Sequence, residues 1–367
     1  MDPIKYNKKD QAKKILVDIG HPAHVHFFRN PIKNWLKSGC EVFVTSRRKE
    51  IATDLLDSLE IPHKVLTSIG GGIIGLGKEL ISRNLKLLKV INQEKPDVMV
   101  GIGGIFIAQT GFLRRVPSIV FYDTENAHLS NLITYPFASL VVTPRCYQSW
   151  LPPWQLKYPG YHELSYLHPN HFQPDLDIAI QCGLMPDRKN FLIRTVSWQA
   201  SHDVIEKGWN LDLLKGIVNL LADHGNVMIS AEGALPDELQ KYSYQGAPEK
   251  IHHLMGHLTM FIGESATMAS ECAVLGVPAI YAAYTGRGYT DEQEEVYQLV
   301  KNVRELDWPT ISSAITEILA TPPETWISRR ETLLTDTINV ADFVTDLTIK
   351  YPESVKHYRK SFSNDKV

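Results

Sequence analysis

The sequence predicts an α/β protein with two doubly wound domains, and three observations indicate that class. The chain has 367 residues, which is more than one hydrophobic core usually contains. Short apolar runs alternate with segments of helical periodicity, as in parallel strands joined by crossover helices. The alternation occurs in two series, separated at residues 147–174 by a Pro-rich, aromatic stretch that continues neither a helix nor a central strand.

The first series opens with a β-α-β unit. Residues 14–19 (KILVDI) are a predicted buried strand, apolar residues then recur at helical spacing, and Ser38-Gly39 ends this helix before a strand at residues 41–44. Further strands are predicted at 98–102, 118–122 and 140–143, and helices at 50–59, 78–93 and 127–137. The pattern predicts one doubly wound, Rossmann-type domain.

The second series predicts another domain of the same type. Its strands are predicted at 191–196, 227–231, 259–262 and 279–282, and its helices at 211–224, 248–255 and 267–275. The predicted boundaries are a flexible arm at 1–13, domains at 14–165 and 166–330, a C-terminal helix at 331–350 and a polar tail at 351–367. The two sheets are expected to face each other across a cleft at the carboxyl ends of their strands, where open α/β sheets bind ligands.

Charge and cysteine content exclude several classes of protein. The 38 Lys and Arg nearly balance the 41 Asp and Glu, and the net charge of -3 gives no global attraction to nucleic acid. The four cysteines are far apart and predict neither a disulfide framework nor a zinc site. Residues 1–13 lack the apolar run of a signal peptide, and the apolar stretch at 98–113 is too short for a membrane span. We therefore expect a cytoplasmic protein with no nucleic-acid partner.

Residues 259–280 predict a site for a diphosphate. A strand ends at Gly263, and Ser265 caps a helix that begins near Ala266. The backbone N–H groups of Ser265, Ala266 and Thr267 and the positive end of the helix dipole then point to the carboxyl edge of the sheet. Glu271, four residues after Thr267 and at the edge of the helix, is placed to accept hydrogen bonds from two vicinal hydroxyls. The alternative is a solvent-facing Glu on an ordinarily capped helix.

Polar residues after two other strands of the second domain complete this predicted diphosphate site. Arg194 can pair with phosphate oxygens, Trp198 can offer a flat face to a base or sugar, and Ser197 and His202 accompany them. In the alternative, Arg194 forms a salt bridge and Trp198 fills the core. Glu232, at the end of the next strand, is expected to hold either a sugar hydroxyl or Arg194.

A proton acceptor is expected in the first domain, at the turn of residues 18–26 (DIGHPAHVH). His24 is the first candidate for a general base, with Asp18, or Asp123 and Glu125, as replacements or orienting partners. The three histidines of this turn alternatively bind a transition metal, or cap and pack the helix; we predict no metal site. The acceptor side is predicted to include His21, His26, Gly103, Gly104 and His128.

A glycine-rich motif and the basic helix that follows it are two further features of the first domain. Residues 70–75 contain G-x-G-x-x-G, but the motif does not follow the first strand and no acidic residue stands at the required distance, so no nicotinamide cofactor is predicted, nor any other cofactor. The next helix carries Lys78, Arg83, Lys86 and Lys89 beside apolar residues. One edge of it is a candidate for contact with an anionic membrane that carries a lipid-linked acceptor, and the alternative is a solvated basic face.

Several strings resemble known families. DIGHPAHVHFF (18–28), DTENAH (123–128), RTVSWQASHD (194–203) and GYTDEQEEVY (288–297) resemble the domain-of-unknown-function 354 family over residues 14–303. The run GESATMASECAVLGVP is similar to the donor-binding segment of GT-B-fold glycosyltransferases and UDP-N-acetylglucosamine 2-epimerases. The turn at His24 resembles that of the peptidoglycan N-acetylglucosaminyltransferase, with Pro22-Ala23 in place of Gly-Gly. The resemblance implies a GT-B-like fold, with Ser265 on the diphosphate and Glu271 on the ribose.

The function implied by the resemblance is metal-independent sugar transfer from a nucleotide diphosphate sugar such as a UDP-sugar. The first domain is expected to bind a glycan or lipid-linked acceptor of surface polysaccharide or glycolipid biosynthesis, at the inner face of the membrane. The second is expected to bind the donor, with Arg194 and the helix dipole stabilising the leaving diphosphate. The alternatives are an epimerase, although Ser270 stands where that family carries a second Glu, and a non-catalytic nucleotide-sugar-binding protein.

Overall fold

The computed structural model describes residues 13–48, 52–68, 72–125, 127–196 and 209–364. The chain divides into two compact units. Unit 1 comprises Met1–Arg145, Ser149–Tyr166 and Asn339–Val367, and unit 2 comprises Cys146–Gln148 and Leu167–Ile338.

Unit 1 is built on a seven-stranded parallel sheet. Its strands are β1 (Lys14–Ile19), β2 (Glu41–Arg48), β3 (His63–Ser68), β4 (Val98–Ile102), β5 (Ser118–Phe121), β6 (Leu140–Pro144) and β7 (Gln155–Tyr158), in the order β3-β2-β1-β4-β5-β6-β7. Its first helices are α1 (Pro22–Lys37), α2 (Ala52–Ser58), α3 (Gly72–Glu94), α4 (Ile105–Arg114) and α5 (His128–Thr134). Helices α1 and α2 pack together, and α4 packs between α3 and α5. The strand order reverses between β1 and β4, which is where doubly wound sheets bind ligands.

Unit 2 contains a five-stranded parallel sheet. Its strands are β8 (Lys189–Thr195), β9 (Gly225–Ala231), β10 (Met260–Gly263), β11 (Ala279–Ala282) and β12 (Val300–Val303), in the order β12-β11-β10-β8-β9. Its helices are α6 (Leu176–Gln181), α7 (Leu211–Ala222), α8 (Ile251–Met255), α9 (Ala266–Leu275), α10 (Gly288–Glu295), α11 (Trp308–Ala320) and α12 (Pro323–Asp336). The order reverses between β8 and β10.

The C-terminal segment differs from its prediction. One helix was expected at 331–350, but the structure ends α12 at Asp336 and begins α13 (Val340–Ile349) after Asn339, whose side chain caps the new helix. Helix α13 packs against α1 in unit 1. The predicted polar tail contains a further helix, α14 (Glu353–Asn364), because its aromatic residues pack against Phe343 and give it a buried side.

Three strands that the sequence did not predict all lie at sheet edges. They are β3 and β7 at the two edges of the first sheet and β12 at one edge of the second. Strand β7 falls within the Pro-rich stretch, where the sequence pattern excluded a helix and a central strand but not an edge strand. Edge positions tolerate nearby Pro and polar side chains because one side of the strand makes no ladder hydrogen bonds.

Candidate functional site

The turn between β1 and α1 fixes the rings of two histidines. His21 caps α1 and its Nδ1 accepts the N–H of Ala23 at 3.2 Å, and the Nδ1 of His24 accepts the N–H of Gly20 at 3.2 Å. A neutral imidazole that accepts at Nδ1 carries its proton on Nε2. His24 in this arrangement therefore presents an N–H donor at Nε2, and accepting a proton there requires the other tautomer and the loss of the bond to Gly20.

Asp18 is engaged inside unit 1. Its Oδ1 accepts hydrogen bonds at 2.7 Å from the hydroxyl of Thr45 and at 2.7 Å from the guanidinium of Arg83. The Arg83 side chain is 1% exposed and lies over the ring of Phe106, with 4.6 Å from Cζ to the ring centroid. Arg83 was expected on the basic face of α3, so that part of the prediction is wrong: the buried carboxylate draws the guanidinium into the core.

Asp123 follows β5 and forms the charged centre of a cluster at the carboxyl edge of the sheet. Its Oδ2 lies 3.1 Å from Nδ1 of His162, and its Oδ1 accepts the hydroxyl of Thr124 at 3.0 Å. Burial raises the pKa of Asp123, but the charge and hydrogen bond of His162, the Thr124 hydroxyl and the charge of His24 outweigh it, so the pKa falls to about 2. The carboxylate is 25% exposed and ionised at any physiological pH.

His162 is a component of this cluster that sequence reasoning missed. It begins a short 3-10 helix, His162–Ser165, which packs on α1. Its ring lies against Phe27 with centroids 4.5 Å apart, and Nε2 is buried with no hydrogen-bond partner among the described residues. Nδ1 donates to Asp123, and this hydrogen bond fixes the orientation of the ring. No motif or spacing relates His162 to Asp123; only the fold brings them together.

Two glycines begin α4 beside β1. Gly103 and Gly104 have φ of +69° and +52°, and a Cβ on Gly104 would lie 2.3 Å from Cγ1 of Val120. The hydroxyl of Tyr122 donates to the carbonyl of Gly103 at 2.5 Å. The first N–H groups of α4, which have no partner within the helix, therefore lie at the same sheet edge as the β1–α1 turn.

The other residues predicted for the site in unit 1 lie on three different elements. Glu125 is half-buried in the turn after β5. His26 packs against the ring of Tyr166, with centroids 5.3 Å apart. His128 is the first residue of α5.

In unit 2, the loop between β10 and α9 has the predicted form. Ser265 caps α9 and its Oγ accepts the N–H of Met268 at 3.3 Å. Ala266 is the first residue of α9, and Thr267 is half-buried. Sequence reasoning missed Glu264, whose carboxylate accepts the N–H of Val196 at 2.9 Å and that of Trp209 at 3.3 Å. The predicted residues Ser197, Trp198 and His202 lie outside the described residues.

Arg194 and Glu232 bind each other. The Arg194 guanidinium donates to Glu232 at 2.7 Å and to the hydroxyl of Ser230 at 2.9 Å. The sequence left open whether Arg194 forms a salt bridge and whether Glu232 holds a sugar hydroxyl or Arg194. In the structure these two side chains form a salt bridge with each other. The Glu232 side chain is half exposed, so the pair lies at the surface of unit 2.

Glu271 is not at the exposed edge of α9, where it was predicted. It is 5% exposed, and its Oε1 lies 2.8 Å from Nε2 of His252 on α8. The prediction failed because α8 packs on this side of α9, so the helix is covered on more faces than its spacing indicates.

Neither a metal-binding group of side chains nor a membrane-spanning helix occurs among the described residues. Among the described residues, no three His, Cys, Asp or Glu side chains are grouped so as to hold a metal ion. No helix in the same part of the chain is long and apolar enough to cross a membrane.

The low pKa of Asp123 predicts a pH-dependent stability. A carboxyl group whose pKa is lower in the folded state than its ordinary 3.8 stabilises the fold above that value, and the contribution is lost as pH falls. From 3.8 to about 2 the difference is worth about 2 kcal/mol, of which about half is lost by about pH 3. The gap in free energy of unfolding between wild type and Asp123→Asn should therefore shrink between pH 5 and pH 3 in urea titrations.

The control for this measurement is Asp57→Asn, which removes one carboxylate that is 75% exposed beside His63 in the same unit. A gap between wild type and Asp123→Asn that stays constant over this pH range would contradict the assigned pKa.

The strand orders of the two parallel sheets define a two-unit α/β protein of the GT-B type, which confirms the predicted fold class. Three solved structures share the fold. The UDP-GlcNAc 2-epimerase from Neisseria meningitidis bound to UDP-GlcNAc has a TM-score of 0.66 and 14% identity, over 92% of this chain and 99% of that one. The spinosyn rhamnosyltransferase SpnG with spinosyn aglycone has a TM-score of 0.59 and 11% identity, over 91% of this chain and 99% of that one. MurG of Acinetobacter baumannii has a TM-score of 0.56 and 15% identity, over 92% of this chain and 99% of that one. The fold neighbours thus include both glycosyltransferases and epimerases.

The chain belongs to the family described as protein of unknown function DUF354, which matches residues 13–320. It is also similar to an uncharacterised protein of Methanocaldococcus jannaschii, with 24% identity over 289 residues that cover 72% of this chain and 80% of that protein. The family predicted from the sequence is therefore confirmed.

Proposed function

We propose that this protein is a glycosyltransferase that moves a sugar from a nucleotide diphosphate sugar to a hydroxyl of a glycan or lipid-linked acceptor. The observation that carries the proposal is the ionised carboxylate of Asp123, held by His162 and facing the edge of a doubly wound sheet. Sugar transfer to a hydroxyl requires a group that takes up its proton. The GT-B fold, which is shared with sugar-transferring enzymes, is compatible with this activity.

The proposed donor site is the N-terminus of α9 in unit 2. Ser265 uses its side chain on Met268, which leaves other first-turn N–H groups of α9 for an anion. These groups and the helix dipole would hold the diphosphate of the donor. Arg194 would contact the diphosphate only after breaking its salt bridge to Glu232. We therefore assign it a smaller contribution to donor binding than the sequence indicated.

The proposed reaction is a direct displacement. The acceptor oxygen forms a bond to the anomeric carbon, the bond from that carbon to the diphosphate oxygen breaks, and the electron pair leaves with the nucleoside diphosphate. The proton of the acceptor hydroxyl passes to Asp123. His162 orients this carboxylate, and the Nε2–H of His24 is suited to hold an oxygen of the substrate.

An epimerase would use the same fold with a different proton transfer. It must remove a proton from a ring carbon of the sugar, and it needs no acceptor hydroxyl. A hydroxyl, in contrast, releases its proton late, as its oxygen bonds to the sugar. The sequence favours transfer over epimerisation, because Ser270 stands where the epimerase family carries a second Glu.

The direct test is incubation with a panel of nucleotide sugars, with and without sugar or lipid acceptors. Release of nucleoside diphosphate that depends on the acceptor would support the proposal. Isomerised donor in the absence of acceptor, detected by NMR, would instead indicate an epimerase. Tight donor binding with no turnover under any of these conditions would indicate a binding protein.

A charge substitution tests the donor site separately. Thr267→Asp places a carboxylate in the first turn of α9, where it favours the helix but repels a bound diphosphate. We expect the affinity for UDP, measured by calorimetry, to fall about tenfold or more. The matched control is Thr310→Asp in the first turn of α11, whose N-terminus is capped by Asp307. Equal UDP affinities for the two variants would exclude the N-terminus of α9 as the diphosphate site.

A further inference from the structure

The outer surface of helices α3, α4 and α5 exposes many large apolar side chains. Six of them are Ile81 and Leu85 on α3, Phe112 and Leu113 on α4, and Leu129 and Leu132 on α5. Each is more than half exposed, and Leu129 and Leu132 reach 73% and 70%. Isolated exposed apolar residues are ordinary, but a cluster of this size on one face is typical of an interaction surface. We call it the α3–α5 surface.

The three helices form one continuous layer. Asn84 on α3 donates to Gln109 on α4 at 2.8 Å, and Gln109 donates to the carbonyl of Ile133 on α5 at 3.2 Å. Phe112 contacts Phe137 just beyond α5, with ring centroids 5.4 Å apart. Trp150, 73% exposed, adjoins this end through Tyr135. The apolar groups therefore share one surface of unit 1.

The exposed charges among these apolar groups are basic. Exposed basic side chains lie among the apolar groups, with Lys89 on α3 and Arg114 and Arg115 at the end of α4. The sequence contains no Asp or Glu in residues 80–93, 98–122 or 127–162, and the acidic residues of α3 are Glu79 and Glu94. The outer face of α3 likewise places apolar Ile81 and Leu85 beside Lys89.

We propose that the α3–α5 surface binds the face of an anionic lipid bilayer. Leu, Phe and Trp side chains enter the boundary between headgroups and acyl chains, while Lys and Arg contact anionic headgroups. A second copy of this chain fits less well, because two surfaces whose exposed charges are mainly basic repel each other. This surface differs from the edge of α3 predicted from sequence, since Arg83 is buried and α4 and α5 supply most of the apolar groups.

Helix α4 connects this surface to the candidate site. It begins after Gly104 at the carboxyl edge of the sheet and ends ten residues later at Arg114, a distance of about 15 Å along the helix. The binding proposal does not depend on the proposed function, because it rests on exposed side chains outside the candidate site.

The test is sedimentation of the full chain with vesicles. We expect binding to vesicles of phosphatidylcholine mixed with phosphatidylglycerol, weaker binding to phosphatidylcholine alone, and weakening with added salt. Leu129→Gln with Leu132→Gln should reduce partitioning about tenfold or more. Arg114→Gln with Arg115→Gln should reduce it about thirtyfold. The matched control, Leu176→Gln with Ile327→Gln, changes two exposed apolar residues of unit 2 and should bind as wild type does.

Three results would overturn the proposal. One is wild-type protein that stays in the supernatant with anionic vesicles, and another is variants that bind as well as wild type. The third is a dimer, seen by light scattering, that the leucine substitutions convert to monomer, since the surface would then be a self-association interface. Leu129, Leu132, Arg114 and Arg115 are all exposed, so thermal unfolding should match wild type and loss of fold would not explain lost binding.

Discussion

Replacing Asp123 by Asn should lower kcat for sugar transfer by about 10²- to 10⁴-fold, the usual contribution of a proton acceptor in the transition state. Asn keeps the shape of the side chain and can still accept a hydrogen bond, but it cannot take up the acceptor proton. KM for the donor should change little, because the proposed diphosphate site lies on α9. Steady-state kinetics with the donor and acceptor found by the panel would measure both constants.

The control for this variant is Asp57→Asn, which removes an exposed carboxylate paired with a histidine in the same unit and should leave kcat unchanged. An unchanged kcat in Asp123→Asn itself would assign Asp123 to structure alone. Circular dichroism at the assay temperature would verify that the variant is folded, since the lost ionic contact costs some stability.

His162 should act through Asp123 as a positioning residue. Its charge and hydrogen bond lower the pKa of Asp123, so His162→Gln should raise that pKa and move the acid limb of the kcat profile to higher pH. A residue that only fills space would not shift this limb. The comparison with His162→Phe separates the two roles, since Phe keeps the ring but has no hydrogen-bond donor.

The sequence predicted the centre of each sheet better than its edges. Strands β1, β4 and β11 were predicted with their observed bounds, because strands buried on both faces are nearly continuous apolar runs. Strands β3, β7 and β12 were missed, since segments such as VKNV mix polar and apolar residues. An edge strand needs less apolar surface, so its signal in the sequence is weaker.

The candidate site was predictable only where its residues follow strands directly. His24, Asp123 and Ser265 were found this way, because the carboxyl ends of parallel strands meet at one sheet edge. His162 was not found, since it comes from a 3-10 helix beyond the sheet. Glu271 was placed at an exposed edge because helical spacing gives the faces of a helix but not which neighbours cover them.

Arg83→Met should lower the free energy of unfolding by about 3–5 kcal/mol, the usual cost of removing one partner of a buried ion pair. Asp18 would keep its bond to Thr45 but lose the guanidinium, and its carboxylate would remain 7% exposed without a compensating charge. Methionine has a similar apolar stem, so lost packing is the smaller part of the effect. Urea unfolding would measure the change.

The control for Arg83 is Arg304→Met, which breaks a pair with Asp291 whose side chains are 37% and 32% exposed. An ion pair open to solvent contributes at most about 1 kcal/mol. Adding Asp18→Asn to Arg83→Met removes the stranded charge and should recover part of the loss, because the coupling between neighbouring charges is not additive. Equal losses in the free energy of unfolding for the Arg83 and Arg304 variants would contradict this prediction. They would show that the buried Asp18–Arg83 pair stabilises the fold no more than an ion pair open to solvent.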